Sequence, residues 1–458
     1  MVLNTEAFEK AFAALSEQGG GRLVVPAGVW FTGPIVFRSN INMHLEKGAL
    51  ILFSPDFNLY PLVETVYEGL DTQRCQSPIS GRNLVNIAIT GEGSINGSGE
   101  AWRPLKKAKV TDEYWNKVVK SGGVLMNPGY WFPSDQHITG EKLNANTPAG
   151  RFSGDDWKNF KNYLRPVMVS FIECKNVLLE GVLFENSPAW NIHPLMCENV
   201  IIDNISVRNP AFAQNGDGVD LESCVNSIIV NSNFDVGDDA ICVKSGKDAD
   251  GRRRARPTIN LIVDNCRVFK GHGGFVVGSE MSGGVKNISV TNCQFLGTNV
   301  GLRFKAGRGR GGIVENIYIN DIYMNDINTE AFLFDLYYGG GRGKVVPKVD
   351  ETTPRFRNIF VKNLTARNAN RAMFFNGLPE MNISNIHVED VIISSNTGAM
   401  LVESEGITLK NIEIVPKTGP ALILNNVNDV KVSGLKCPET LEEPVRVSGE
   451  KTKNVQLP

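Results

Sequence analysis

Nowhere in the 458 residues do about 20 apolar residues run together, so no membrane-spanning helix is expected. Neither sign of charge dominates: 47 Lys and Arg face 49 Asp and Glu, a formal net charge of −2. An acidic ligand must therefore be held by a local cationic cluster rather than by the field of the whole protein. Nucleic acid is not an expected partner, since the run RRRAR at 252–256 is too short to argue for it. The eight cysteines show no paired C-x-x-C spacing, which argues against a structural zinc site. The opening Met1-Val2-Leu3 lacks a basic and then apolar leader. The expectation is that the chain is a trimmed, mature form of a longer precursor.

What the sequence does have is repetition. A phrase of Asn, an alternating apolar strand, a second Asn or Asp and another strand recurs as KNVLLEGVLFEN, ENVIIDNISVRN, VNSIIVNSNFDV, INLIVDNCRVFK, KNISVTNCQFLG, ENIYINDIYMND, RNIFVKNLTARN and SNIHVEDVIISS. The opening residues are Asn176, Asn199, Asn226, Asn260, Asn287, Asn316, Asn358 and Asn385, which by subtraction lie 23, 27, 34, 27, 29, 42 and 27 residues apart. One copy cannot bury its apolar face alone; stacked copies can, and a solenoid accepts insertions at its turns without losing register. A propeller would need longer, four-stranded repeats of about 40–50 residues. The pattern predicts an all-β chain, a parallel β-helix, with the recurrent Asn forming a hydrogen-bonded ladder. Cys174, Cys197 and Cys224 share one place in the repeat, and Cys266 and Cys293 another, so packed free thiols are expected.

Residues 1–458 are read as one catalytic domain. An N-terminal capping helix within 1–21 presents Phe8, Ala11, Phe12 and Leu15 on one face, with Asn4 or Thr5 as its N-cap and the glycines at 19–21 as its end. A helical and loop insertion at 101–165, rich in Trp, Lys and Pro, lacks the repeat and is expected to wall one end of a cleft.

The densest polar chemistry falls in NGDGVD (215–220), GDDA (237–240), GHGG (271–274) and RFK (303–305). Counted from the opening Asn of each copy, these four motifs share one face of successive coils: Asp217, Asp238, Asp239, His272, Arg303 and Lys305. Glycoside hydrolysis needs one protonated carboxyl for the leaving oxygen and one carboxylate to activate water or attack. Crowded carboxylates push one proton affinity up, which supplies the acid. Which aspartate plays it stays open on this argument. The cations would hold a substrate carboxylate. Any one motif alone reads better as a solvated turn or strand face; their co-location carries the functional reading.

In this order the motifs resemble the polygalacturonases of glycoside hydrolase family 28, whose usual forms are Asn-Thr-Asp, Gly/Gln-Asp-Asp, Gly-His-Gly and Arg-Ile-Lys. The resemblance extends over nearly the whole chain, including GGGRLVVPAGVWFTGPI; Gly216 and Phe304 depart from the family's Thr and Ile. It implies a right-handed helix and an inverting hydrolysis of α-1,4-galacturonosyl linkages in pectin. Asp238 would be the general acid, Asp217 and Asp239 the water-activating carboxylates, and His272 a tuner of the acid or an orienter of substrate. Arg303 and Lys305 would clamp the substrate carboxylate, with Asn215, Lys244 and Glu280 as further substrate-binding residues; neither metal nor cofactor is implied. VGSEMSGGVKN, KSGKDADGRR and RGGIVENI look like the bacterial exo-acting branch, implying release of galacturonic acid from a chain end. Arg308 and Arg310 are candidates for extra carboxylate contacts. A rhamnogalacturonan galacturonidase is the runner-up; a lyase or a non-catalytic carbohydrate-binding helix fits the aspartate set less well. The polymer substrate implies a periplasmic or secreted enzyme.

Overall fold

The structure, a computed structural model, describes residues 2–146, 151–341, 343 and 345–457. Residues 147–150 of the insertion, and Met1 and Pro458 at the ends of the chain, lie outside the described residues. Internal packing divides the chain into two compact units, Met1–Leu221 with Phe234–Asp239, and Glu222–Asn233 with Ala240–Pro458.

In the first unit each repeat is a coil of three short strands, for example Val169–Ile172, Lys175–Glu180 and Leu183–Glu185, followed by Ile192–Leu195, Glu198–Asp203 and Ser206–Arg208. Equivalent strands pair in parallel without slippage: Val169 with Ile192, Val177 with Val200, Leu183 with Ser206. Period-2 alternation sends one row of side chains inward, so Met43, Ile89, Leu179 and Ile202 fall in one column, all fully buried. Fully burying each such side chain contributes about 1.5–3 kcal/mol. The column repeats in the second unit as Val263, Val290, Ile319, Val361 and Val388. Both units are right-handed parallel β-helix, the hand that parallel crossovers take.

The recurrent asparagines make the corners. All eight adopt the left-handed conformation, with φ between 52° and 60°, which Asn tolerates better than most residues. Their amides form the expected ladder. Asn199 donates to Asn176 (2.9 Å) in the first unit, and Asn260 donates to Asn226 (3.0 Å) in the second. Such corners also explain how the 51-residue extended run Ile383–Ser433 stays in the helix: Asn385, Asp390, Asn411 and Asn426 turn it. No cysteine is disulfide-bonded, and seven of the eight are buried.

The capping helix spans Thr5–Glu17, buries Phe8 and Phe12, and ends before Gly19 at φ 90°. Asn4 holds its N-cap place without a capping bond; its amide donates instead to the Val2 and Phe31 carbonyls. Phe12 packs edge-on against Phe37, and Phe37 against Phe171, which plugs the first coils.

The insertion contains helices Asp112–Lys120 and Asp135–Lys142 and the 3-10 segment Gly154–Tyr163. It also holds a small antiparallel sheet of Leu105–Lys106, Val124–Asn127 and Tyr130–Phe132, which the sequence reading did not anticipate. Unanticipated too is an antiparallel hairpin, Leu62–Tyr67 with Leu70–Cys75, turning on Glu68 and Gly69.

Candidate active site

In the first unit the strands Val169–Ile172, Ile192–Leu195 and Val219–Glu222 are buried on both faces, unlike the alternating strands beside them. One face lines the interior; over the first two strands the hairpin covers the other. Val66 packs with Ile172 and Leu195, and Tyr67 packs with Val167, Ala189 and Trp190, its ring 4.6 Å from that of Trp190.

Asp217 enters this sheet just ahead of Val219. The Gly218 amide donates to the Asp239 carbonyl (2.9 Å) and the Asn191 amide to the Asp217 carbonyl (3.1 Å), so Asp217 and Asp239 are neighbours on successive coils. Asp217 and Asp239 are buried and Asp238 half-buried, and one carboxylate oxygen from each lies within 4.8 Å of the others. The structure therefore brings the three predicted aspartates together. This oxygen-only set could also accommodate a hard divalent cation.

A tightly wound loop delivers Asp217. Asn215 is left-handed at φ 52°, and the Asn209 side-chain amide donates to the Gly216 carbonyl (3.1 Å). At Gly216 a Cβ would stand 2.7 Å from that of Ala213; at Gly237 one would stand 2.5 Å from the Ala213 carbonyl oxygen. The insertion holds the same loop: Tyr114 packs on Phe212, and the Tyr130 hydroxyl donates to the Gln214 side chain (3.1 Å). Arg165 donates to the Pro188 and Gln214 carbonyls and to the Asn215 side-chain oxygen, so Asn215 is engaged by this arginine.

Burial pushes the Tyr67 hydroxyl above the usual phenol range; Arg74 and Arg165 oppose the shift, and Glu68 and Asp217 add to it. Tyr67, Arg74 and Arg165 were not singled out by the sequence reading. The turn Glu-Gly at 68–69 between alternating segments was the available signal for the hairpin.

In the second unit His272 is half-buried at the head of the strand Gly273–Val277, its carbonyl accepting from the Val300 amide (3.1 Å). Arg303 and Lys305 lie on the strand Val300–Lys305, where Arg303 pairs with Val276 on one side and Leu333 on the other. Alternation puts both cations on the face opposite the interior Phe304, whose ring packs on Phe334 (4.6 Å). Tyr338 stands over them, its ring 5.9 Å from the Arg303 guanidinium and 5.1 Å from the Lys305 ammonium. It lies 33 residues beyond Lys305, outside any motif.

Lys244 and Glu280 are both nearly buried and face each other at 3.7 Å. Burial alone would raise the Glu280 carboxyl, but Lys244, Lys305 and Lys247 outweigh it and bring it down to about 2. Gly278 makes room for the pair: a Cβ there would stand 3.1 Å from the Lys244 chain. Arg308 and Arg310 serve elsewhere. Arg308 makes a two-pronged bond with Glu380 (2.6 and 2.9 Å), and Arg310 pairs with Asp248.

A parallel β-helix with three clustered aspartates on one coil face, and a lysine–arginine strand in the same sequence, defines a carbohydrate-cleaving enzyme. The chain belongs to the glycosyl hydrolases family 28, whose model matches residues 135–403, and it is a glycoside hydrolase. Among solved structures it is similar to a hyperthermoactive exopolygalacturonase from Thermotoga maritima, 34% identical with a TM-score of 0.77, over 91% of this chain and 89% of that one. The family 28 exopolygalacturonase of Yersinia enterocolitica shares the fold, with a TM-score of 0.74 at 23% identity, over 100% of this chain and 76% of that one. An exo-poly-alpha-D-galacturonosidase of Dickeya chrysanthemi is 28% identical over 80% of this chain, which spans 60% of that protein's length. Among the described residues no helix is long and apolar enough to cross a membrane.

Proposed function

We propose that this enzyme hydrolyses α-1,4-galacturonosyl linkages of pectic galacturonan from a chain end, with inversion, releasing galacturonic acid. The observation that carries the reading is the mutual approach of Asp217, Asp238 and Asp239 within 4.8 Å. Three carboxylates so close cannot all ionise easily, so one stays protonated for the leaving oxygen. We assign the general-acid role to Asp238, the half-buried member of the adjacent pair and the one matching the family's acid. Asp217 and Asp239 then hold and deprotonate the attacking water. Two carboxylate oxygens less than 4.8 Å apart can both accept from one water at about 2.7–2.8 Å. Arg303 and Lys305 bind the substrate carboxylate, with Tyr338 against the sugar. His272 orients the acid or the substrate; Asn215, Lys244 and Glu280 complete the contacts.

The carboxylate spacing also supports a second reading. Inverting pairs usually stand about 6.5–9.5 Å apart and retaining pairs about 5–5.5 Å, so distance alone favours a covalent intermediate. The third carboxylate answers this, because water-holding is shared by two groups on neighbouring coils rather than assigned to one distant base. Chain-end cutting is supported by the hairpin Leu62–Cys75, which roofs the coils before Asp217, and by the activities named for the Thermotoga and Dickeya relatives. Acting on a polymer, the enzyme works outside the cytoplasm, periplasmic or secreted.

The test is product analysis on saturated oligogalacturonides, with proton NMR of the first-formed anomer. Monomer appearing first as the β-anomer is expected. The α-anomer would establish retention, and a ladder of oligomers would establish internal cutting. Inactivity on these, with release from rhamnogalacturonan oligosaccharides, would move the reading to that polymer.

A further inference from the structure

Three arginines in the first unit are almost fully buried, and each donates to carbonyl and amide oxygens. Arg74 donates to the Arg165 carbonyl and the Asn146 amide oxygen, and Arg103 to the Ser187 carbonyl and the Asn186 amide oxygen. Arg165, 7% exposed, reaches Pro188 O (2.9 Å), Gln214 O (2.9 Å) and Asn215 Oδ1 (2.8 Å). Removing a guanidinium from water is costly, so such an arrangement persists where its directional donors do something specific.

Arg165 is the one aimed at the loop that carries Asp217. Of its acceptors, two belong to consecutive residues of that loop, and the third to Pro188 at the entry of the neighbouring coil. A planar fork bonded at both ends fixes direction as well as distance, which a lysine cannot do. Its own position is set from the other side. The Arg74 guanidinium donates to the Arg165 carbonyl through Nε (2.8 Å), and the Cys75 amide donates to the Leu164 carbonyl (3.0 Å), both from the hairpin. A continuous line of bonds thus runs from the hairpin through Arg165 to Asn215, two residues from Asp217.

We propose that Arg165 is a positioning residue for hydrolysis: it holds Asn215 in its left-handed turn and so aims the Asp217 carboxylate at Asp239. The inference rests on the reading of Asp217 as a water-activating group. Without the fork, the loop keeps its backbone turn at Gly216, but Asn215 loses its side-chain anchor and the carboxylate swings off line. A displacement near 1 Å at a reacting group costs about 100-fold in rate. Arg303 and Lys305, assigned to the substrate carboxylate, belong to another strand, so the loss falls mainly on kcat.

The experiment compares Arg165→Ala, Arg165→Lys and Asp217→Asn on oligogalacturonides, with melting curves for each. Arg165→Ala is expected to lose about 100-fold in kcat with KM within about threefold, and to regain part of it on adding millimolar guanidinium ion at constant ionic strength. Arg165→Lys is expected to fall between. A folded Arg165→Ala protein whose kcat is intact, whose loss is all in KM, or whose loss neither lysine nor guanidinium reverses overturns the inference. If the alanine variant does not fold, Arg165→Lys decides: native melting with undiminished kcat overturns it. Asp217→Asn separates the two levels. Activity retained there removes the reading of the site itself, whereas its loss beside a fully active Arg165 series removes only the role of Arg165.

Discussion

The Lys244 ammonium and the Glu280 carboxylate oppose each other at 3.7 Å, both side chains at most 13% exposed, and the carboxyl is held ionised down to about pH 2. Its pKa lies below that of an unfolded glutamate. The stability it contributes is therefore complete above about pH 4.5 and is lost as pH falls through about 2. Across any working pH Glu280 is a fixed negative charge.

Glu280→Gln is thus expected to cost about 3 kcal/mol of stability by removing the carboxylate that faces the buried Lys244 ammonium, and to leave the pH optimum of hydrolysis where it was. Denaturant unfolding and a pH–rate profile check both; a moved optimum would mean that Glu280 titrates in catalysis.

Replacing Asp238 by Asn keeps the shape and removes the proton. The expected loss is about 10²–10⁴-fold in kcat, with melting nearly unchanged. Substrates carrying a better leaving group should lose less, because they need less help from an acid.

At Gly216 a side chain would collide with Ala213, the two Cβ atoms 2.7 Å apart. Gly216→Thr, which restores the usual family residue, is expected to destabilise by about 1–3 kcal/mol and to depress activity. Adding Ala213→Gly should recover much of both. Failure of the double variant to improve on the single one would place the strain elsewhere in the loop.

His137 supplies a pH test of stability. Burial, with Arg165 adding, lowers it to about 3, and its ring nitrogens lie 2.9 Å from the Ser134 hydroxyl and 3.2 Å from the Trp102 carbonyl. Here the folded pKa is depressed for a base: below about 6.5 the unfolded chain takes a proton that the folded one refuses. Stability should fall from pH 6.5 toward pH 3 by about 1.4 kcal/mol per pH unit from this group. His137→Gln should flatten that slope, as read from unfolding midpoints across the range.

Much of this molecule is legible in its sequence. The asparagine phrase marks the corners because each coil needs left-handed residues there, most of them with a short amide or carboxylate, and counting from it brings Asp217, Asp238 and Asp239 together. The hairpin at 62–75 and Arg165 were not visible, for a common reason. Each acts by packing on coils far away in sequence, and neither belongs to the repeat. Tyr338 is similar, reaching Arg303 and Lys305 from a loop whose composition points to nothing. Conversely Arg308 and Arg310 looked available only because Glu380 and Asp248, their partners, are 72 and 62 residues away.

The asparagine ladder has a consequence for how such an enzyme can change. Asn176 and Asn199 are 23 residues apart and Asn316 and Asn358 are 42 apart, yet their amides bond at 2.9 and 3.2 Å. One corner of each coil is thus indifferent to how much chain is looped out elsewhere along it. A segment looped out between coils can lengthen or shorten while the stack of rungs stays in step. Substrate range in this scaffold can then be remodelled without renegotiating the fold.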